Sequence, residues 1–299
     1  PLIKPIIGIE AYVAPSTRTS RVQEFWGTSR DAGDPDAEGG KDVSGGGRYT
    51  HMTMWAKDPE GLHNLFRLSS LASYEGYYMK PRMDRELMSQ YPDGIIASTG
   101  CPSGEVQTRL RLGQFEEACQ AASDYRDIFG RENYFCELMD HGVPIEKQVR
   151  SDLLRLAKKL DIPLLVTNDS HYVTEDQADA HDSLLCVGVG RNKDDPNRFR
   201  FNGSGYYIKS SEQMRALFPD YPEACDNTLL LTEMIGSYDE VFKHVDRMPQ
   251  FDVPEGETQE SWLRKKIDEG ITLRFGDQIP EGVQERVETE LSVIEPLGY

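Results

Sequence analysis

From residue 6 to about residue 208 the chain alternates short apolar runs with stretches of helical period, and this alternation restricts the fold more than any other feature. The runs Ile6–Val13, Tyr49–Ala56, Ile95–Thr99, Tyr134–Met139, Leu164–Val166 and Tyr206–Ile208 read as strands. The first helix between them is expected to start at Asp58-Pro59, with Leu62, Leu65, Phe66 and Leu68 as its inner stripe. Others are expected over 82–90, from Glu105, over Phe115–Phe129, over Ile145–Leu160, from Thr174 to about Val187, over Ser211–Phe218 and over Tyr221–Ile235. The pattern predicts an α/β fold with a mostly parallel sheet, open or closed into a barrel, and functional groups gathered at the carboxyl ends of the strands. Residues 14–48, rich in glycine and poor in apolar side chains, read as a long flexible surface insertion carrying no site. Beyond Arg247 the texture changes: a Pro/Gly connector, Met248–Gly256, leads to two helices, about Gln259–Phe275 and Gly282–Glu295.

Composition narrows the function. A formal charge of -18 repels nucleic acid over most of the surface, so a DNA-binding role needs a local basic patch, metals or parts outside this sequence. The one locally basic stretch is Arg191, Lys193, Arg198 and Arg200. No apolar run is long enough to span a membrane. The 5 cysteines are odd in number and contain no CxxC, which points to a reducing cytoplasm rather than a disulfide scaffold. Neither Pro1-Leu2-Ile3 nor Leu297-Gly298-Tyr299 reads as a natural terminus, so the chain is expected to be a fragment.

Several residues able to bind metal fall at or near strand ends. Asp169 and His171 follow the strand Leu164–Val166; two apart in extended chain, their side chains leave the same side of the backbone. They read either as a metal-binding or acid–base pair, or as a capping aspartate beside a solvated histidine. Glu10 interrupts its apolar run, and is either at the solvated end of the strand or a ligand, since an unpaired buried carboxylate is costly. His51, alone among β-prone neighbours, reads first as a satisfied core histidine. Cys101 lies between a strand end and a helix start, where helix amides and any metal favour the thiolate; in isolation it reads as a buried inert cysteine. Five metal-competent residues on four strands weigh against coincidence. Asp140-His141-Gly142 also looks like a metal motif, while His63 reads as solvated.

The segments Lys4–Val13, Tyr49–Met54, Thr99–Gly113, Tyr134–Gly142, Thr167–Val173, Asp195–Phe199, Arg247–Phe251 and Glu288–Tyr299 together resemble, in order, a known family. It is that of the alpha subunits of bacterial DNA polymerase III of the DnaE type, the actinobacterial branch most closely. The resemblance covers nearly the whole chain apart from the glycine-rich insertion. It implies that residues 1–246 are most of a polymerase and histidinol phosphatase (PHP) domain, a distorted β/α, TIM-like barrel whose amino-terminal part is missing. Residues 247–299 would then be the incomplete helical beginning of a polymerase palm. Glu10, His51, Cys101, Asp169 and His171 match five of the family's nine metal ligands; the other four belong to His-x-His and Thr-Asp-His-Gly motifs upstream of Pro1. Asp140-His141-Gly142 imitates the latter at a place that is not a ligand position in the family, so His141 is expected to be structural or solvated. Pro296 falls where the family's palm helix continues, so a break near Glu295 is expected. The paired polymerase aspartates are expected beyond Tyr299.

The function implied by the resemblance is DNA-templated DNA synthesis in chromosome replication, with the PHP domain a metal-dependent phosphoesterase that acts as a 3′–5′ proofreading exonuclease in the intact protein. Mixed His, carboxylate and Cys donors suit zinc first, with manganese or iron as alternatives. Asp169 would bridge two ions, and His51 and His171 would bind as neutral imidazoles. Magnesium would serve polymerisation. The implied partners are DNA primer-template, the sliding clamp and other replisome subunits, in the cytoplasm and away from any membrane. The fragment alone is expected to lack polymerase activity and to hold a crippled metal site. Two other readings remain: a free-standing PHP phosphoesterase, disfavoured by the segment after Met248, and a non-catalytic PHP platform bracing the polymerase, disfavoured by the five ligand positions.

Overall fold

The computed structural model describes residues 3–27, 43–245 and 249–297. The chain divides into two compact units, residues 1–242 and 243–299.

The first unit is built on a six-stranded sheet in the order β3-β1-β2-β4-β5-β6. Strands β1 (Gly8–Val13) and β2 (Thr50–Ala56) pair antiparallel, with Glu10 opposite Thr53 and Tyr12 opposite His51. On one face Ala11, Val13, Met52 and Met54 are buried; Glu10, Tyr12, His51 and Thr53 share the other, as the period of two requires. Strand β2 also pairs antiparallel with β4 (Ile95–Ser98), while β4, β5 (Tyr134–Leu138) and β6 (Leu164–Val166) run parallel. The sheet is mixed, parallel except for β2, which makes both antiparallel pairs. Alternating hydrophobicity carries no strand direction, so one reversed strand leaves no mark in the pattern. Among the described residues no ladder joins β3 to β6. The expected strand Tyr206–Ile208 contributes only an isolated bridge, Tyr172 with Tyr207.

Helices cover the sheet where their patterns place them. Helix α1 (Ser44–Gly47) is a single turn. Helix α2 (Pro59–Tyr74) starts at Asp58, whose carboxylate accepts from the Gly61 N–H at 2.9 Å, and buries Leu62, Leu65, Leu68 and Ala72. Phe66, expected on that stripe, is 50% exposed. It lies about 100° around the helix from the line through Leu65 and Ala72. The expected helix over 82–90 is shorter: Arg82–Met83 form β3, parallel to β1, and Asp84 caps α3 (Arg85–Gln90). Helices α4 (Glu105–Arg111), α5 (Phe115–Phe129) and α6 (Pro144–Leu160) follow, with Val149, Leu153 and Leu156 of α6 in the core. Thr174 forms a capping box with Gln177 ahead of α7 (Ala178–Val189), and α8 (Ser211–Leu217) and α9 (Pro222–Met234) complete the unit. The 5 cysteines are free. No helix of the described residues is long and apolar enough to cross a membrane.

The expected flexible insertion 14–48 is in part tied down. Arg82, 1% exposed, donates to the carbonyls of Arg18 at 3.0 Å, Ser20 at 2.6 Å, Arg48 at 3.0 Å and Gly76 at 3.1 Å. Arg18 in turn pairs with Asp84 at 2.9 Å and Glu75 at 2.7 Å. Residues 28–42 of the insertion lie outside the described residues.

In the second unit, α10 (Gln259–Phe275) begins at a Thr258–Ser261 capping box. Helix α11 (Val283–Leu297) runs through Pro296 instead of breaking near Glu295. In the last turn proline removes only one backbone bond, and Arg264 clasps Glu295 through two hydrogen bonds of 2.8 and 3.0 Å, holding that turn in place. The expected domain boundary, between 246 and 247, lies outside the described residues.

Candidate metal centre

The reversed direction of β2 creates the site. Its amino end lies beside the carboxyl ends of β1 and β4, so His51 meets Glu10 and the loop that follows β4. Glu10 and His51 are diagonal neighbours on one sheet face, and Nδ1 of His51 is 2.9 Å from Oε1 of Glu10. The loop is hung on β2 by the backbone: the His51 N–H donates to the Ser103 carbonyl at 3.1 Å, and the Gly104 N–H to Cys101 at 2.8 Å. Gly100, at φ 78°, makes the turn, where a side chain would crowd the His51 carbonyl. Cys101 Sγ thereby lies 3.6 Å from His51 Nδ1 and 4.0 Å from Glu10 Oε1. One ligand atom from each of the three falls within 4.8 Å of the others. Tyr49 stacks on the His51 ring at 5.7 Å, and Tyr12 meets it edge-on at 5.3 Å.

Electrostatics reinforce the grouping. Burial pushes the His51 imidazolium down, but hydrogen bonds to Cys101 and Glu10 outweigh it and lift its pKa to about 10. A metal taking His51 as a neutral imidazole must displace that proton.

Asp169 and His171 form a second group, with Nε2 of His171 3.4 Å from Oδ1 of Asp169. They do not meet as an extended i, i+2 pair: Asp169 has φ 42°, in the left-handed region. Burial raises the Asp169 carboxyl, yet the His171 hydrogen bond and the charges of His171, His141 and His51 bring it below its ordinary range. His171 is raised, chiefly by its bond to Asp169, with Glu10 contributing. Each group therefore feels the other's charge, although Asp169 and His171 are not in the tight trio.

Two features here were not read from the sequence. His181 of α7 packs beside His171, ring centres 5.3 Å apart, with Phe201 4.6 Å from His171. Nothing in a helical histidine and a loop phenylalanine signals that they meet. Glu137 of β5 is 4% exposed and accepts from Ser98 Oγ of β4 and, at 2.6 Å, from Thr167 Oγ1 just past β6. It thus ties together the strand ends that carry Cys101 and Asp169. A buried acid in an apolar run was the available signal. His63 is exposed, as expected. His141, expected to be structural or solvated, is buried and hydrogen-bonded to Glu146.

The basic stretch is largely neutralised. Arg191 pairs with Asp195 at 3.4 Å, Lys193 with Asp179 at 2.5 Å, and Arg198 grips Asp182 through two hydrogen bonds of 2.6 and 2.7 Å. Those bonds hold the Asp182 carboxyl below its ordinary range. Its folded pKa is depressed, so the pair stabilises the fold above the unfolded value, about 4, and that contribution is lost as pH falls through the folded value. Melting curves of wild type and D182N are expected to differ most above pH ~5 and to converge as pH falls through the depressed folded value.

The sequence model of the PHP domain matches residues 2–141, on the mixed α/β fold of the first unit. Over nearly its whole length the chain is similar to alpha subunits of bacterial DNA polymerase III. It is 53% identical to that of Saccharopolyspora erythraea over 99% of this chain and 25% of that protein. The corresponding identity is 52% in Mycobacterium tuberculosis, again over 99% and 25%, and 36% in Thermus aquaticus, over 99% and 23%. The chain thus spans about a quarter of the length of these curated relatives.

Proposed function

We propose that this chain is the PHP region, with the adjoining start of the palm, of a replicative DNA polymerase III alpha subunit. Its PHP site is a metal-dependent phosphoesterase that removes nucleotides from the 3′ end of DNA and proofreads synthesis. The convergence of Glu10, His51 and Cys101 within 4.8 Å carries this reading. A carboxylate, an imidazole and a thiol brought to one point from three chain segments form a donor set that suits zinc, with manganese or iron as alternatives. A divalent metal bound there would supply Lewis acidity for phosphodiester hydrolysis. Glu10, His51 and Cys101 would hold it, and Asp169 and His171, whose charges already act on this group, would complete the centre. In the whole protein, DNA primer-template, the sliding clamp and other replisome subunits would be the partners, in the cytoplasm, with magnesium serving polymerisation. Residues 1–246 would be the PHP domain and 247–299 the beginning of the palm.

The neutralised basic stretch favours one other reading, a PHP platform that braces the polymerase without chemistry. Cobalt(II) titration of a full-length polypeptide carrying this chain separates the two. The catalytic reading expects a thiolate-to-cobalt charge-transfer band that C101S abolishes, with affinity reduced by at least about tenfold. A platform shows no band in either protein, and that result would overturn the proposal.

A further inference from the structure

One buried polar pair supplies no atom to the tight trio of the candidate centre. The side chains of His141 and Glu146 are 1% and 4% exposed. Glu146, in the first turn of α6, accepts from the His141 backbone N–H at 2.7 Å, and its Oε1 is hydrogen-bonded to His141 Nδ1 at 2.5 Å. The opposite ring nitrogen, Nε2, lies 2.7 Å from the Asn168 carbonyl oxygen. A carbonyl only accepts, so Nε2 carries a hydrogen and donates it. Tyr206 stacks on the ring, centres 4.0 Å apart and planes 13° from parallel. The flanking residue is clasped as well: Asp140 accepts from Arg150 at 2.7 Å and from the Gly142 N–H at 2.9 Å. The segment that imitates a metal motif is thus a fastener.

What it fastens is the residue before Asp169. Besides His141, the Asn168 side chain donates to the Tyr207 carbonyl at 2.6 Å and to Ser170 Oγ at 3.0 Å, and accepts from Lys209 Nζ at 2.8 Å. Asp169 follows directly at φ 42°, a conformation a non-glycine residue keeps only when its surroundings over-determine it. Of these contacts, the one from His141 alone acts on the Asn168 carbonyl, part of the peptide that continues into Asp169.

We propose that His141 is a positioning residue for the metal centre: backed by Glu146, it holds the Asn168 carbonyl and so keeps Asp169 left-handed, with its carboxylate beside His171. This rests on the reading of Asp169 as a ligand. Groups that orient metal ligands through hydrogen bonds change affinity by about 10–100-fold when removed.

The test uses a full-length polypeptide carrying this chain, as wild type and with H141F, H141Q, E146Q and D169N. Phenylalanine keeps a ring against Tyr206 and loses both nitrogens; glutamine can return an N–H toward the Asn168 carbonyl. Crystal structures report φ at Asp169, and cobalt(II) titration reports affinity. In H141F, Asp169 is expected to leave the left-handed region and cobalt affinity to fall about 10–100-fold, whereas H141Q keeps the positive φ and most of the affinity. E146Q, which weakens the anchor but preserves its shape, should fall between wild type and H141F, and it serves as the test if H141F does not fold. A left-handed Asp169 with wild-type cobalt affinity in H141F, or in E146Q where H141F is insoluble, overturns the positioning role. If D169N binds cobalt as wild type does, the ligand reading of Asp169 fails instead, and φ in H141F still decides whether His141 sets the loop.

Discussion

In a full-length polypeptide carrying this chain, D169N is expected to cut metal-dependent release of nucleotides from a 3′ end by at least about a hundredfold while leaving primer extension unchanged. The Asp169 carboxyl is held below its ordinary range despite burial, chiefly by its bond to His171 and then by the charges of His171, His141 and His51. It is therefore a charged donor at neutral pH, and asparagine removes that charge with little change in shape. Asparagine is also among the few residues that accept a left-handed backbone well, so φ 42° at this position costs the variant little. Loss of activity in D169N thus reports chemistry rather than misfolding. The check is degradation of a 3′-mismatched primer without nucleotides, run beside extension of a matched primer with them. Wild-type degradation by D169N would remove Asp169 from the site.

The second large effect concerns stability. R82M is expected to lower the stability of the first unit by about 3 kcal/mol or more, equivalent to roughly 6–12 °C in melting temperature. The methionine fills part of the space but donates nothing, and the carbonyls of Arg18, Ser20, Arg48 and Gly76 lose their common partner. The Arg18 and Ser20 carbonyls keep Arg21 Nη1 at 2.9 and 3.3 Å, so the loss is of four charged hydrogen bonds, each worth on the order of 1 kcal/mol or more. Because Arg82 binds residues 18, 20 and 48 to the sheet edge, limited proteolysis of R82M should cut first within 14–27. A variant melting within about 2 °C of wild type would show that water satisfies these carbonyls as well as the guanidinium does.

Much of this was legible in the sequence because it is local. The helices Phe115–Phe129 and Gln259–Phe275 and the strand Leu164–Val166 lie at their expected bounds, since periodicity and caps act over a few residues. Arg82 was misplaced for the complementary reason. Its neighbours read as helix, but a parallel pairing with β1 and four distant carbonyls outweigh that preference. The same holds for Asp169 and His171. The pair was visible, but the expected extended geometry gave way to a left-handed residue held by a histidine from a different loop.

The sequence by itself determined which residues are competent to bind metal and which segments form strands and helices, because donor chemistry and hydrophobic period reside in single residues and short runs. Only the tertiary structure decided which donors meet. Glu10, His51 and Cys101 are separated by tens of residues, and they converge because β2 runs against its neighbours, a direction no local pattern encodes. It also placed His141 of Asp140-His141-Gly142 behind the loop that carries Asp169, with its ring nitrogens engaged by Glu146 and the Asn168 carbonyl.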